Sequence, residues 1–348
     1  MYFCPTYRAV WCCVGVFGFE MKSIVDIFDT LGKRLAEFGR DEISCRVMTQ
    51  AIADNEWFSE EDIRYAVEAI RQDMLDGERI AEWLSHYPAP ANHTPKRVAI
   101  IMAGNIPLVG FFDLMCVIAS GNIPCVKPSS KDRVLECYIE ELLLDIEPAL
   151  RIERYEESGN YDAVIATGGD SANLYFRNRF KEIPALLRGS RHSVAVLSGN
   201  ESRRELEGLS RDIFTYSGLG CRSVSLVFVP KGYNLELPVR KMCRAYHNNY
   251  IQHRALLTMT QKAFEDSCEA VFVRGEADFP SRLSQINIVE YSDIAEVKAW
   301  LGENDERLQC VVAAEKLHSR CVAFGCAQHP TLTDYADEKD TMAFLYSI

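Results

Sequence analysis

Residues 97–130, RVAIIMAGNIPLVGFFDLMCVIASGNIPCVKPSS, decide the fold of this 348-residue chain. The segment 97–103 is a continuous apolar run, which is typical of a strand buried on both faces. Residues 108–120 form a second apolar run that predicts a buried helix ending at Gly121. Another strand is predicted at 123–129. A strand, a helix and a second strand at this spacing are the repeating unit of a parallel α/β sheet.

The same alternation continues along the chain and predicts a doubly wound, Rossmann-type sheet. Further elements are expected as a helix at 134–146, a strand at 161–167, a helix from about Asp170 and a fourth strand at 193–199. After Asn200 the order is less regular, which indicates a second α/β domain. Its predicted elements are a helix at 206–220, a strand at 223–230, a helix at 237–249, a strand, turn and helix at 286–304, and a strand at 309–314.

These patterns divide the chain into successive parts. Helical periodicity over residues 22–88 predicts an N-terminal helical part of the first domain, assigned to 21–95. The Rossmann-type domain is assigned to 96–204, the second α/β domain, which contains Cys221, to 205–328 and a C-terminal segment to 329–348. The apolar run at 9–19 is too short to span a bilayer. We expect residues 1–20 to be a non-native or disordered leader from an upstream start codon, with an inefficient signal peptide as the alternative.

Composition limits the function classes. The chain is 48% hydrophobic and 25% charged with a net charge of −12, as in an ordinary folded soluble protein. This acidic balance disfavours nucleic-acid binding, which depends on neutralising phosphates. The thirteen cysteines lack the paired spacing of a disulfide framework or a zinc site, and the histidines lack metal-ligand spacing. We therefore expect a cytoplasmic protein with no metal and no stable membrane insertion.

Four short segments at the ends of predicted elements are candidate site residues, because ligands of open α/β sheets bind at the carboxyl ends of strands. Asn105 follows the first strand, where its amide either donates to an oxyanion or completes a turn. Lys127, with Ser129 and Ser130 after it, either holds a cofactor ribose or is a solvated lysine before a proline turn.

The other two segments are rich in glycine. Gly168 and Gly169 lie between a strand and a helix, where backbone amides can approach a pyrophosphate, although a tight turn explains the pair equally well. Cys221 follows a glycine-rich turn and precedes Arg222. The cation and nearby amides favour a reactive thiolate, whereas most lone cysteines are core residues.

The order of these segments resembles the aldehyde dehydrogenase superfamily, and more closely its LuxC-type acyl-CoA reductases. The similarity runs from about Met21 to the C-terminus. The segments that carry it are AGNIPLVGFFDLMCV (103–117), CVKPSSKD (125–132), YDAVIATGGDSANLYF (161–176), RHSVAVLSGNE (191–201), DIFTYSGLGCRSVSLVFVP (212–230) and PTLTDYADEKDTMAFL (330–345).

The resemblance implies a role for each candidate residue. Cys221 would be the acylated nucleophile, and Asn105 with the Cys221 backbone N–H would stabilise the oxyanion. Lys127 with Ser129 or Ser130 would hold the adenosine ribose, and Gly168 and Gly169 would open the helix beneath the cofactor. The implied cofactor is NADPH, with NADH as the alternative. The implied partners are an acyl-CoA substrate, an acyl-transferring enzyme and further copies of the chain in a homo-oligomer.

One departure from the superfamily bears on the reaction. Aldehyde dehydrogenases carry a general-base glutamate in an E-L-G-G-K segment, and the matching residues here, 188–192, are Arg-Gly-Ser-Arg-His. Glu201 or Glu205 is the alternative base, and His192 is a further acid–base candidate. Without a base to activate water, an acyl-thioester persists, which favours reduction of an acyl-CoA to the aldehyde. Aldehyde dehydrogenase or acyl-phosphate reductase activity, a cysteine acyltransferase or acyl carrier without nicotinamide, and a non-catalytic partner are the alternatives.

The basic residues Arg177, Arg179, Lys181 and Arg188 form one further candidate site. We expect them to lie on a solvated helix face, with the phosphates of coenzyme A as the alternative partner.

Overall fold

The computed structural model describes residues 22–88, 94–238 and 240–348. The prediction about residues 1–20 lies outside this part of the chain. Four helices open the described structure, and each begins at a side chain that accepts a backbone N–H of its first turn. In α3, for example, the Ser59 side chain accepts from the Asp62 N–H. The helices are α1 Ile24–Leu35, α2 Glu42–Asp54, α3 Glu60–Met74 and α4 Gly77–Ser85.

The first sheet has five parallel strands in the order β3-β2-β1-β4-β5. They are β1 Arg97–Ile101, β2 Ile123–Lys127, β3 Glu153–Arg154, β4 Ala163–Thr167 and β5 Ala185–Arg188, with helices α5 Phe111–Ala119, α6 Arg133–Ile146 and α7 Asp170–Arg179 between them. The predicted strand–helix alternation is confirmed. Chain order reverses between β1 and β4, and ligands of open α/β sheets bind at the carboxyl ends of the strands beside such a switch point.

The second sheet has seven strands in the order β12-β11-β6-β7-β10-β9-β8, and among its pairs only β8 and β9 are antiparallel. The strands are β6 His192–Val196, β7 Val224–Pro230, β8 Glu265–Ser267, β9 Ala270–Arg274, β10 Gln285–Tyr291, β11 Leu308–Ala313 and β12 Cys321–Val322. The helices are α8 Arg203–Phe214, α9 Arg244–Met259 and α10 Ile294–Glu303.

The boundary expected at 204/205 is wrong in one respect. The strand predicted at 193–199 is β6, which pairs with β7 and β11 rather than with the first sheet. Its apolar run is equally suited to either buried sheet, so hydrophobicity alone does not decide the partner. The change of sheet falls between β5 and β6, at residues 189–191. The helix expected at 237–249 begins at Arg244, where Cys243 caps it.

Both sheets are covered on two faces. Beneath the first sheet, α1–α6 share a core with the C-terminal helix α11 Thr341–Tyr346, whose Met342 and Leu345 are buried there. On the opposite face, α7 packs Phe176 and Phe180 against β1 and β4. The C-terminal segment therefore returns to the first sheet. All ten described cysteines are free thiols. None of the helices in the described ranges is long and apolar enough to cross a membrane.

Candidate active site

The loops that follow β1, β2 and β4 meet at one edge of the first sheet, because these strands are adjacent and parallel. A Cβ on Gly104 would lie 2.3 Å from the Ser129 Oγ. Only glycine therefore lets the loop after β1 pack against the loop after β2. The structure thus brings Asn105, Lys127, Ser129, Ser130, Gly168 and Gly169 to the same edge of the sheet, as the sequence predicted.

Lys127, at the end of β2, is half-exposed and has two neighbours. Its Nζ lies 2.8 Å from Glu157 Oε1 and 5.1 Å from the centroid of the Tyr155 ring. The Lys127 charge holds the pKa of the Glu157 carboxyl below its ordinary value. Glu157 was not among the predicted site residues. Sequence spacing does not reveal it, since it follows a two-residue strand, β3.

Gly168 and Gly169 join β4 to α7. Gly169 is the N-cap of α7, and no side chain caps this helix by hydrogen bonding. A Cβ on Gly169 would meet only Ser190 Oγ, at 3.9 Å, so the space beside this residue is open. The first amides of a helix with no side-chain cap are ready donors for an anion, and the helix dipole adds attraction.

Cys221 lies in a loop between α8 and β7, here named the nucleophile loop, residues 215–222. Tyr216, Ser217 and Gly218 have φ values of 55°, 55° and 68°. Two consecutive non-glycine residues in the left-handed region are unfavourable and persist only when their surroundings hold them. The Tyr216 N–H donates to Asp62 Oδ1 at 2.9 Å, and the Ser217 Oγ lies 3.3 Å from Cys243 Sγ.

Two further hydrogen bonds fix the loop around Cys221. Asn105 Nδ2 donates to the Leu219 carbonyl oxygen at 2.7 Å, and Ser193 Oγ donates to the Cys221 carbonyl oxygen at 2.9 Å. The first of these bonds links the loop after β1 to the nucleophile loop of the other half of the chain. Asn105 and Cys221 are therefore brought together, as predicted. One of the two amide hydrogens of Asn105 is used by Leu219, which leaves the second for another acceptor.

Cys221 is exposed, and it lines a cavity of about 180 Å³. The walls are contributed by α3, by residues 106–113, by the nucleophile loop and by residues 328–336. Most of the lining side chains are apolar, including Ile70, Val109 and Phe112. The arrangement places one thiol at the wall of a mainly apolar pocket.

The expected low pKa of Cys221 is wrong for the described structure. Surrounding protein atoms raise the pKa of the thiol above its usual value, and the negative charge of Asp337 adds to this effect. The charges of Arg222 and Arg188 lower the pKa but do not outweigh desolvation. The thiol is therefore mainly protonated at neutral pH, and its thiolate fraction rises as the pH increases.

A buried ion pair that the sequence did not predict lies beside this cavity. Arg188 and Asp113 are 5% and 6% exposed, and Arg188 Nη1 lies 2.7 Å and 2.6 Å from the two Asp113 carboxylate oxygens. Arg188 Nη2 donates to Thr341 Oγ1 at 2.7 Å. The expectation that Arg188 lies on a solvated helix face is wrong, because it ends a buried strand. The sequence feature that indicates this pair is one acidic residue, Asp113, within the apolar run 108–120.

A second feature not predicted from the sequence is the position of α3 against the half of the chain that contains the second sheet. Glu61 lies 2.6 Å from Arg240, and Asp62 accepts the Tyr216 N–H. His329 bridges the helix to the C-terminal region: its Nδ1 lies 2.7 Å from Asp73 Oδ2 and its Nε2 lies 2.7 Å from the Tyr65 hydroxyl. These contacts anchor α3 as one wall of the cavity.

The alternative bases do not lie in this cavity. Glu201 accepts from Ser198 Oγ and the Gly199 N–H, and Glu205 forms a capping box with Ser202 at the start of α8. Their carboxylates therefore stabilise local turns. His192 stacks on Phe279 with ring centroids 4.2 Å apart. None of the three lines the cavity that contains Cys221.

Solved structures share this architecture. Aldehyde dehydrogenase 21 from Physcomitrella patens, in complex with the reaction product succinate, matches at a TM-score of 0.64 and 10% identity over 93% of this chain and 83% of that chain. A propionaldehyde dehydrogenase from a Clostridium phytofermentans microcompartment matches with a TM-score of 0.55 and 10% sequence identity, over 84% of this chain and 77% of that chain. The NAD+ complex of a Mycobacterium tuberculosis aldehyde dehydrogenase matches with a TM-score of 0.56 and 12% sequence identity, over 83% of this chain and 72% of that chain. The fold is therefore that of the aldehyde dehydrogenases.

The sequence places the chain more narrowly within this fold. A family model described as acyl-CoA reductase (LuxC) matches residues 20–240. The chain belongs to the LuxC acyl-CoA reductase family, and it is an enzyme of the aldehyde dehydrogenase and acyl-CoA reductase kind. No curated protein matches the sequence at a significant level.

Proposed function

We propose that this enzyme reduces a long-chain fatty acyl-CoA to the aldehyde with NADPH, through an acyl group bound to Cys221. The observation that carries the proposal is the position of Cys221: its thiol lies in the wall of a mainly apolar cavity, on a loop hydrogen-bonded to Asn105. An apolar pocket with one nucleophile suits an acyl chain whose reactive carbon lies at one end. Family membership supports the same reaction.

The chain's own residues account for formation of the acyl-enzyme. The Cys221 thiolate attacks the thioester carbonyl carbon, and the second N–H of Asn105 with the Cys221 backbone N–H donates to the developing oxyanion. The carbon–sulfur bond to coenzyme A then breaks, and the departing thiolate takes a proton. Because Glu201 and Glu205 are held in local turns, they do not activate water against the thioester. The position of these two glutamates outside the cavity favours an acyl-enzyme that persists until it is reduced.

The proposed place for the dinucleotide is the edge of the first sheet at the carboxyl ends of β1 and β4. Gly169 leaves open space at the start of α7, whose first amides face no side-chain cap and suit a pyrophosphate. Lys127, with Ser129 and Ser130, would hold the adenosine ribose. When bound, the reduced nicotinamide supplies a hydride to the acyl carbon. The tetrahedral alkoxide that would form on Cys221 then expels the Cys221 thiolate and frees the aldehyde.

Mass spectrometry tests the proposal directly. The intact enzyme is mixed with palmitoyl-CoA without a nucleotide, and we expect one acyl group on the peptide that contains Cys221. Added NADPH should then remove the label as aldehyde. A label that NADPH neither removes nor reduces would indicate an acyltransferase or acyl carrier instead. Parallel assays with acyl phosphate and with aldehyde plus NADP+ distinguish the other reactions of the superfamily.

Replacing Asn105 by alanine tests the oxyanion role. The change removes the donor to the transition state and the hydrogen bond to Leu219. We expect kcat to fall by about 10²- to 10³-fold while KM for acyl-CoA changes much less, because the lost donor acts mainly on developing charge. Steady-state kinetics measures both constants. A kcat close to that of the unchanged enzyme would exclude Asn105 as an oxyanion donor.

Glu157 is expected to influence the choice between NADPH and NADH. Its carboxylate lies beside Lys127, where it opposes a 2′-phosphate held by that lysine. Glu157→Gln removes one negative charge and should raise affinity for NADPH relative to NADH by about threefold at low salt, as expected for exposed charges. Fluorescence titration with both nucleotides measures the ratio. Glu156→Gln removes an adjacent charge and serves as the matched control; an equal effect of both variants would contradict the assignment.

A further inference from the structure

The helix α3 presents one face to the cavity that contains Cys221. The lining residues are Ala66, Ala69, Ile70, Asp73 and Met74, spaced as neighbours along one side of a helix. Four of the five are apolar, and the two nearest the start of the helix are alanines, which are 3% and 7% exposed. The smallest side chains of the lining helix face are therefore those of Ala66 and Ala69.

This helix face is held in place at both ends. Asp62 accepts the Tyr216 N–H at 2.9 Å, which connects the start of α3 to the nucleophile loop. Asp73 contacts His329 at 2.7 Å, which connects its end to the C-terminal region. A helix anchored at both ends moves little when a ligand enters the cavity. The size of its side chains then limits the length of chain that the cavity accepts.

We infer that Ala66 and Ala69 determine the acyl-chain length that the enzyme accepts. The inference rests on the proposed function, in which the acyl chain occupies this cavity. A bulky side chain at either position takes up space in the cavity that the acyl chain would occupy. A smaller side chain in place of Met74, on the same helix face, enlarges the space and admits longer chains.

The test compares kcat/KM over a series of straight-chain acyl-CoAs from butyryl-CoA to palmitoyl-CoA. Ala69→Leu adds three carbons to the wall of the cavity. The acyl-chain length with the highest kcat/KM should therefore become about three carbons shorter. For the longest substrate that the unchanged enzyme prefers, kcat/KM should fall on the order of 60-fold, since each excluded methylene costs about fourfold. Butyryl-CoA should lose much less, because a four-carbon acyl group needs less of the cavity. Ala66→Leu should act in the same direction, and Met74→Ala in the opposite one.

Val67→Ile is the matched control, because it adds one methyl group to α3 at a core position that does not line the cavity. Its chain-length profile should equal that of the unchanged enzyme. Circular dichroism establishes that each variant is folded. An unchanged profile in Ala69→Leu, or an equal loss for every chain length, would overturn the inference while leaving acyl-CoA reduction intact. If the unchanged enzyme reduces no acyl-CoA, the proposed function fails, and the inference fails with it.

Discussion

Cys221→Ala should abolish reduction of acyl-CoA, with kcat lower by roughly 10⁴-fold or more, because Cys221 is the one cysteine among the described residues that line the cavity. The variant should fold normally. The hydrogen bonds that hold the loop go to the carbonyl oxygens of Leu219 and Cys221, and these do not depend on the thiol. NADPH binding should also be unchanged. Nucleotide oxidation and intact-protein mass after exposure to acyl-CoA measure the two effects.

Cys326→Ala is the appropriate control for this prediction. Cys326 and Cys221 are the two exposed cysteines of the described chain, and Cys326 does not line the cavity. Its replacement should leave both acylation and turnover at their original levels. The mechanism would be refuted by reduction of acyl-CoA at an ordinary rate in the Cys221 variant.

Arg188→Met should lower the free energy of unfolding by about 3–5 kcal/mol, the usual result of leaving one partner of a buried ion pair uncompensated. Asp113 would then be a buried carboxylate without its cation, since both residues are about 5% exposed. The Arg188 charge also lowers the pKa of Cys221. Its removal should raise that pKa, so a smaller thiolate fraction at a given pH should slow alkylation by iodoacetamide. Urea unfolding and alkylation rates measure the two results.

Two variants distinguish burial from charge in this experiment. Arg203→Met removes an arginine from an exposed pair with Glu207, and it should change stability by less than about 0.5 kcal/mol. The double variant Asp113→Leu/Arg188→Met removes both buried charges and should recover much of the lost stability. Equal stability of Arg188→Met and the unchanged enzyme would show that the pair contributes little to the fold.

Local patterns were sufficient to predict most of the secondary structure. The apolar runs at 97–103 and 123–129 became β1 and β2, and the run between them became α5. They succeed because a buried parallel strand needs apolar residues on both faces, whatever its neighbours are. The same property explains the error at β6: an apolar strand fits either sheet, and only tertiary pairing selects one.

The residues of the candidate site could also be predicted from the sequence, but the residues that surround them in the structure could not. Asn105, Lys127, Gly168 and Cys221 could be chosen because glycine, cysteine and polar residues at strand ends are local signals. The pairing of Arg188 with Asp113 joins residues 75 positions apart. No local pattern reports such a contact.

The amino-acid sequence by itself determined the α/β class, the order of strands and helices and the chemical types of the candidate catalytic residues, because these depend on short-range periodicity and turn chemistry. Only the tertiary structure decided which sheet β6 joins, that α3 forms a wall of the Cys221 cavity, and that surrounding protein atoms raise the pKa of the Cys221 thiol. Those properties depend on desolvation and on contacts between distant segments, and both exist only after the chain has folded.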